Sequence, residues 1–469
     1  MLFRTTAVYS RGEWSGPGVF VLALVGITVG LGNIWRFPYL AGEHGGGAFV
    51  IVYMLCMGIV GWPLMVAELF LGRRGRRSPV AGIQRTALEQ GCTPLWGVVP
   101  AVGLLAGCLL LAAYSVVGGW SMAYVFRSAS GAFEGLDSVS VARLFRSLVS
   151  DPERLLGWHT LFLGATILIV GRGLRFGLEQ AVRWFVPVLM ICLAGLVFRA
   201  HVSVGLGETT RFLLHPSWDA LEPGSVLVAL GHAFFSLTLG VGAIAAFGRF
   251  ADARIPLVRT SLIVVVLHIG LAILAGFATF PFVFAADLSP ASGPGLIFQT
   301  LPLAFSEISG GRYVGVVFFG MLTLAAWSSA IALLEAPVSW LSERVHVDRG
   351  LATSIVGIIV WLVGLLGIFS FNLLAHVRVM AGWPGMQDGN IFDAITYVAT
   401  NLMLPLVGLL LALFFGWRVS AHTLRLDLGS YYGYRGWLFL IRFATPLAML
   451  AIGLHAIGLT ERLADWIAL

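Results

Sequence analysis

Apolar stretches of about 20 residues recur along the whole of this chain, each long enough to cross the roughly 30 Å hydrocarbon core of a bilayer as a helix. Windowed hydropathy predicts about eleven spans. They lie near 17–40, 47–71, 97–127, 157–171, 178–200, 226–248, 257–284, 312–342, 351–371, 391–416 and 436–458. Only 11% of the 469 residues are charged and 58% are hydrophobic, too little charge to cover a water-facing surface of this size. Strand-length alternation is absent, which argues against a β-barrel. The expected class is an all-α integral membrane protein that forms one transmembrane domain over 1–469, with the lipid bilayer as its surroundings.

All 29 basic residues are arginine, and the net charge is +6. They cluster in alternate short connections, as in Arg73, Arg74, Arg76, Arg77 and Arg85 after the second span, or Arg249, Arg254 and Arg259 after the sixth. This is the positive-inside pattern and not a nucleic-acid face. It predicts a multi-pass protein of a bacterial inner membrane, with the N-terminus cytoplasmic and, for an odd span count, the C-terminus outside. The cysteines Cys56, Cys92, Cys108 and Cys192 lack metal-ligand spacing. The first apolar run carries Asn33 and Arg36 and no small-residue cleavage pattern, so it reads as a span and not a cleaved signal. No protein partner is deducible.

Two spans are interrupted by glycines and hydroxyls: Gly26-Ile-Thr28-Val-Gly30-Leu-Gly32-Asn33 in the first and Ser236-Leu-Thr238-Leu-Gly240-Val-Gly242 in the sixth. An unpaired backbone amide in hydrocarbon costs several kcal/mol, so a break persists only where something satisfies the freed groups. Half-helix N-termini suit an anion and half-helix C-termini a cation. A zwitterion with a cation meets both needs. Glycines in membrane spans more often serve close helix packing, but two interruptions with hydroxyls beside them point to a site. Their spacing of five spans predicts two inverted five-helix repeats, about 11–200 and 222–416, with an extra helix at about 436–458. No strand precedes either motif, which excludes a dinucleotide fingerprint.

Arg11-Gly-Glu-Trp14 leads into Val29-Gly-Leu-Gly-Asn33-Ile-Trp-Arg36-Phe-Pro38. Then come Glu43-His-Gly-Gly-Gly47-Ala-Phe49, Tyr53 and Gly61-Trp-Pro63-Leu-Met-Val-Ala-Glu68-Leu-Phe-Leu-Gly72-Arg73. This string resembles the neurotransmitter:sodium symporters, their bacterial amino-acid branch in particular. The likeness continues through Tyr114 to Trp120, Phe234 to Ile244, Ser328 to Glu335 and Asn401 to Pro405. The resemblance implies the fold of the family's bacterial leucine transporter, with broken helices around the bound amino acid.

The resemblance also implies a substrate carboxylate on the amides of Leu31 and Gly32 and the hydroxyl of Tyr114. The ammonium would meet carbonyls of Thr28, Phe235 and Ser236 and the Thr238 hydroxyl. The side-chain pocket would be Ile27, Leu110, Phe235, Val241, Ser329 and Leu333, apolar and therefore suited to an apolar side chain. The family's monoamine carriers place an aspartate where this chain has Gly30. One sodium site is implied at Gly26, Val29, Ala325, Ser328 and Ser329, five neutral oxygens of the kind hard cations prefer. A serine bond back to the preceding turn is the plain alternative for Ser328 and Ser329. A second sodium site would use Thr28, Asn33 and Ser236, but the family's asparagine in the seventh span aligns with Leu267, beside His268. Of the chloride-linked positions Tyr53 and Ser236 remain, whereas a glutamine is His232 and a serine or acid is Leu271, so chloride is not expected. His232 and His268 are candidate proton sites, or ordinary core histidines. Arg11, Trp14 and Glu343 match a cytoplasmic latch. Arg36 matches an outer gate whose acid aligns with Thr396, with Asp393 one turn earlier. Glu68 matches a brace for the broken segments.

The function that follows is a symporter importing small neutral or hydrophobic amino acids by alternating access, coupled to Na⁺ through one site. The alternative keeps the fold and uses H⁺ through His232 or His268. A membrane enzyme or haem protein would need clustered acids and histidines on facing helices, and none is apparent. A non-transporting sensor or channel is the remaining class.

Overall fold

The computed structural model describes residues 13–291, 295–428 and 433–460. Among these, nine continuous helices are long and apolar enough to span a membrane. They are Gly47–Gly75, Pro94–Ala129, Pro152–Gly171, Leu174–Ser203, Leu257–Ala285, Gly311–Val345, Arg349–Phe369, Ile391–Arg418 and Tyr434–Ala456. A tenth crossing is the bent pair Pro17–Thr28 and Gly32–Glu43, which meet at 55°. The predicted sixth span is in two pieces, Pro223–Ser236 and Ala243–Gly248, neither of which is long enough to count as a crossing by itself. The all-helical class and the broken first and sixth helices agree with the sequence. The spans keep the names first to eleventh in chain order.

Two of the longer connections carry helices of their own. The 128–156 stretch holds a helix at Ser138–Val149, and the 285–311 stretch one at Leu296–Ser306. Capping explains the first: Asp137 accepts the Ser140 amide at 2.9 Å. After the second span, Pro79–Glu89 forms a surface helix with proline in its first turn, where the missing N–H is harmless.

The first break begins at Thr28, whose hydroxyl bonds back to the carbonyls of Leu24 (3.0 Å) and Val25 (3.2 Å). Val29 is extended, and the helix resumes through a widened turn at Gly32–Arg36. The sixth break needs left-handed backbone at Thr238 (φ 57°), Gly240 (φ 82°) and Gly242 (φ 76°). Glycine adopts this without steric cost and threonine does not. The eighth span, Gly311–Val345, runs beside both breaks and packs on the first, third, fifth and ninth spans.

Candidate functional site

The two breaks are tied directly together. Thr238 donates its hydroxyl to the Ile27 carbonyl at 3.0 Å, and Ser329 reaches the same oxygen at 3.4 Å. Ser328 donates to Ala325 at 2.9 Å, the bond back to its own turn, and lies 3.4 Å from the Val29 carbonyl. Oxygens from three of the five positions named for a sodium site thus meet between the first and eighth spans. They are neutral, which fits a hard cation. Gly30 is where this packing is tightest: a Cβ there would stand 2.1 Å from Ser329 Oγ. Across the sixth break, Glu68 Oε1 accepts the Gly240 amide at 2.6 Å, a short bond from a fully buried side chain.

A cavity of about 820 Å³ descends to the breaks from one face. Leu31, Gly32, Leu110, Tyr114 and Phe235, all named from the sequence, line it. Ile27, Thr28, Ser236, Val241, Ser329 and Leu333 are buried and Thr238 is half-buried, and none of the seven is on the cavity wall. Sequence reasoning missed the cavity's aromatic wall, which includes Trp35, Trp120, Phe298, Phe371 and Phe392. Aromatic residues inside apolar spans give no sequence signal for facing a cavity instead of lipid.

Arg36, Asp393 and Thr396 also line this cavity. Arg36 does not pair with either. Its guanidinium lies over the Phe235 ring at 5.0 Å, a cation–π contact. Asp393 is engaged in a reciprocal cap, accepting the Asn390 amide at 3.0 Å while its own amide donates to Asn390 Oδ1. The gate pair named from the sequence is therefore apart here, with the cavity open between its members.

The opposite face is shut. Trp14 is 6% exposed and donates to the Phe247 carbonyl at 3.2 Å. Its ring packs on Phe247, Phe20 and Phe250 at centroid distances of 5.5, 6.3 and 6.4 Å. Arg11 lies outside the described residues. Glu343, assigned to it from the sequence, accepts the Ser78 amide at 2.9 and 3.0 Å and lies 3.5 Å from Arg249.

In the seventh span the inward position falls on the neighbour of the residue aligned with the family's asparagine. Leu267 points outward, 38% exposed, and the buried His268 takes the inward position. His268 Nε2 is 3.1 Å from Ser236 Oγ, and its carbonyl accepts from Asn33 Nδ2 at 3.0 Å. Asn33 Oδ1 is left as a buried acceptor with no partner among the described residues, which suits a cation there. His232 packs against Tyr53 and Phe37, and neither ring nitrogen has a hydrogen-bond partner among the described residues. Tyr53 Oη lies 3.4 Å from Ser236 Oγ.

The sequence profile of the sodium:neurotransmitter symporter family matches residues 11–134 and 157–462. The chain belongs to this family. An uncharacterized sodium-dependent transporter of Bacillus subtilis (strain 168), YhdH, is 32% identical over 452 residues, covering 95% of this chain and 98% of the relative. Another, from Haemophilus influenzae, is 30% identical over 461 residues, covering 96% and 98%. Among solved structures, MhsT in complex with L-phenylalanine superposes with a TM-score of 0.85 at 36% identity, covering 95% of this chain and all of that one. As a symporter-family member the chain is a multi-pass membrane transporter and not an enzyme.

Proposed function

We propose that this chain is a Na⁺-coupled symporter that imports neutral apolar amino acids, with one sodium ion bound between the first and eighth spans. The observation that carries the reading is the convergence of Ser328 Oγ with the Val29 and Ala325 carbonyls, directly beside a cavity that ends at Leu31, Gly32 and Tyr114. An ion held there, with Gly26 and Ser329 completing the set, clamps the first span to the eighth. Its binding then favours substrate binding by linkage. The substrate carboxylate sits on the Leu31 and Gly32 amides and the Tyr114 hydroxyl. Its ammonium sits on the Thr28, Phe235 and Ser236 carbonyls and Thr238. The apolar subsite of Ile27, Leu110, Phe235, Val241, Ser329 and Leu333 favours branched aliphatic side chains. The small Val241 leaves room for an aromatic one, in keeping with the L-phenylalanine of MhsT.

The domain reading is two inverted repeats, 11–200 and 222–416. The arginine-rich connections lie on the shut face, which supports a cytoplasmic placement for it and an outward-open state for the structure. The N-terminus is then cytoplasmic and the C-terminus outside, in a bacterial inner membrane. Chloride is not part of the cycle. The second reading is proton coupling, and the contact between the buried His268 and Ser236 favours it. Uptake of radiolabelled amino acids into proteoliposomes, with Na⁺ and pH gradients imposed separately, decides between them. Uptake driven by Na⁺ and lost in Ser328→Ala/Ser329→Ala supports sodium coupling. Uptake driven by pH alone and lost in His232→Gln or His268→Gln supports the proton.

A further inference from the structure

The shut face holds a set of charged groups that the substrate site does not use and that shares only Glu343 with the expected latch. Glu335, on the eighth span, is 0% exposed. Two guanidiniums converge on it. Arg349, at the start of the ninth span, approaches both carboxylate oxygens and also donates Nε to the Val170 carbonyl at 2.9 Å. Arg249, just past the inner piece of the sixth span, reaches Glu335 Oε1 at 3.1 Å. Arg249 also reaches Glu343, about two turns further along the eighth span, at 3.5 Å. Two arginines and two glutamates balance in charge.

The two arginines differ in how firmly they are held. Arg349 belongs to a pair between the eighth and ninth spans, two continuous helices, and is anchored to the fourth span as well. Arg249 is 12% exposed, its Nε has no partner among the described residues, and its guanidinium lies 4.4 Å over the Phe250 ring, at the edge of the aromatic plug around Trp14. It follows a helix of six residues, Ala243–Gly248, joined to the rest of its span only through the break.

We propose that Arg249 is the fastener of the shut face, tying the inner piece of the sixth span to the eighth through Glu335 and Glu343, and that it is placed to let go. Stripping a buried carboxylate of its only partner is strongly unfavourable. Here Glu335 keeps Arg349 when Arg249 leaves, Glu343 keeps the Ser78 amide, and Arg249 passes into water. The inner piece can therefore swing away without leaving a bare buried charge. The basic half of the latch on Glu343 then belongs to the moving sixth span, whatever Arg11 adds. Arg249 is a positioning residue that acts on the conformational equilibrium. The proposal rests on the alternating-access reading above.

Hydrogen–deuterium exchange on the full chain in lipid nanodiscs tests it. Arg249→Gln should speed exchange over residues 243–250 about tenfold or more, while residues 391–397 at the cavity rim exchange more slowly as the open face closes. Glu343→Gln cuts one arm only and should give a smaller change in the same two directions. Arg249→Lys should restore part of the protection. Unchanged exchange over 243–250 in Arg249→Gln overturns the proposal. So does a rise there with no slowing at 391–397, which marks local fraying. Replacing potassium by sodium is a separate arm. If both segments move in the variants but wild type does not respond to sodium, the fastener stands and the sodium reading falls.

Discussion

The first span breaks within a few residues and bends by 55°, whereas the sixth comes apart over residues 237–242, with three of them at positive φ. The freed groups are also satisfied differently. Carbonyls of the first break meet hydroxyls of Thr238, Ser328 and Ser329, neutral donors at 3.0 to 3.4 Å. The amide freed in the sixth meets a buried carboxylate at 2.6 Å. Hydroxyl contacts near 3.4 Å are weak, and an arriving cation or ammonium can replace them. A short bond to a buried amide in a dry interior has no ready substitute. The first break is built for exchange of partners and the sixth for permanence.

The largest effect should come from removing the permanent brace. Glu68→Ala leaves the Gly240 amide buried and unpaired, a loss of about 3 kcal/mol. The thermal unfolding midpoint of the purified protein should fall well below that of Glu68→Gln, which keeps an acceptor. Equal midpoints would erase the contrast between the two breaks.

Tyr114→Phe acts on the exchangeable side. A carboxylate on the Leu31 and Gly32 amides would lose one charge-assisted hydrogen bond, about 2 kcal/mol. The dissociation constant for L-phenylalanine, followed by isothermal titration, should rise tenfold or more with an unchanged melting curve. Unaltered affinity would move the carboxylate elsewhere. Gly30→Ala should cost somewhat less. The new methyl group overlaps Ser329 Oγ and turns that hydroxyl away from the Ile27 carbonyl. The sodium concentration for half-maximal uptake should rise about tenfold, equivalent to about 1.4 kcal/mol.

The smallest effect is expected at Thr238, which belongs to both breaks. Thr238→Gly gives up the hydroxyl bond to Ile27, about 1 kcal/mol, and relieves a left-handed threonine worth a similar amount. Its midpoint should stay close to wild type, and Thr238→Ala, which keeps the strain and loses the bond, should melt lower.

The breaks were legible because glycine and hydroxyl strings are conspicuous inside apolar helices, and so were five residues of the cavity wall, Leu31, Gly32, Leu110, Tyr114 and Phe235. What escaped was long-range or conformational. Arg249 reads as one more positive-inside arginine, since its partner Glu335 is 86 residues away. The turn of His268 inward and Leu267 outward depends on one residue of helical phase, which motif spacing does not fix. Arg36 and Asp393 stand apart because pairing across a gate depends on which face is open, and a sequence carries no such information.

The contact between Gly30 and Ser329 has an evolutionary consequence. Any side chain at position 30 first meets the serine hydroxyl, so the two positions are epistatic. A lineage moving from this chain towards a substrate that lacks its own carboxylate cannot begin by placing an acid at position 30. It must first shorten or turn the residue at 329, which is also one of the proposed sodium ligands. The order of mutations is therefore constrained, and on the proposed sodium site the first step would weaken coupling before any new specificity is gained.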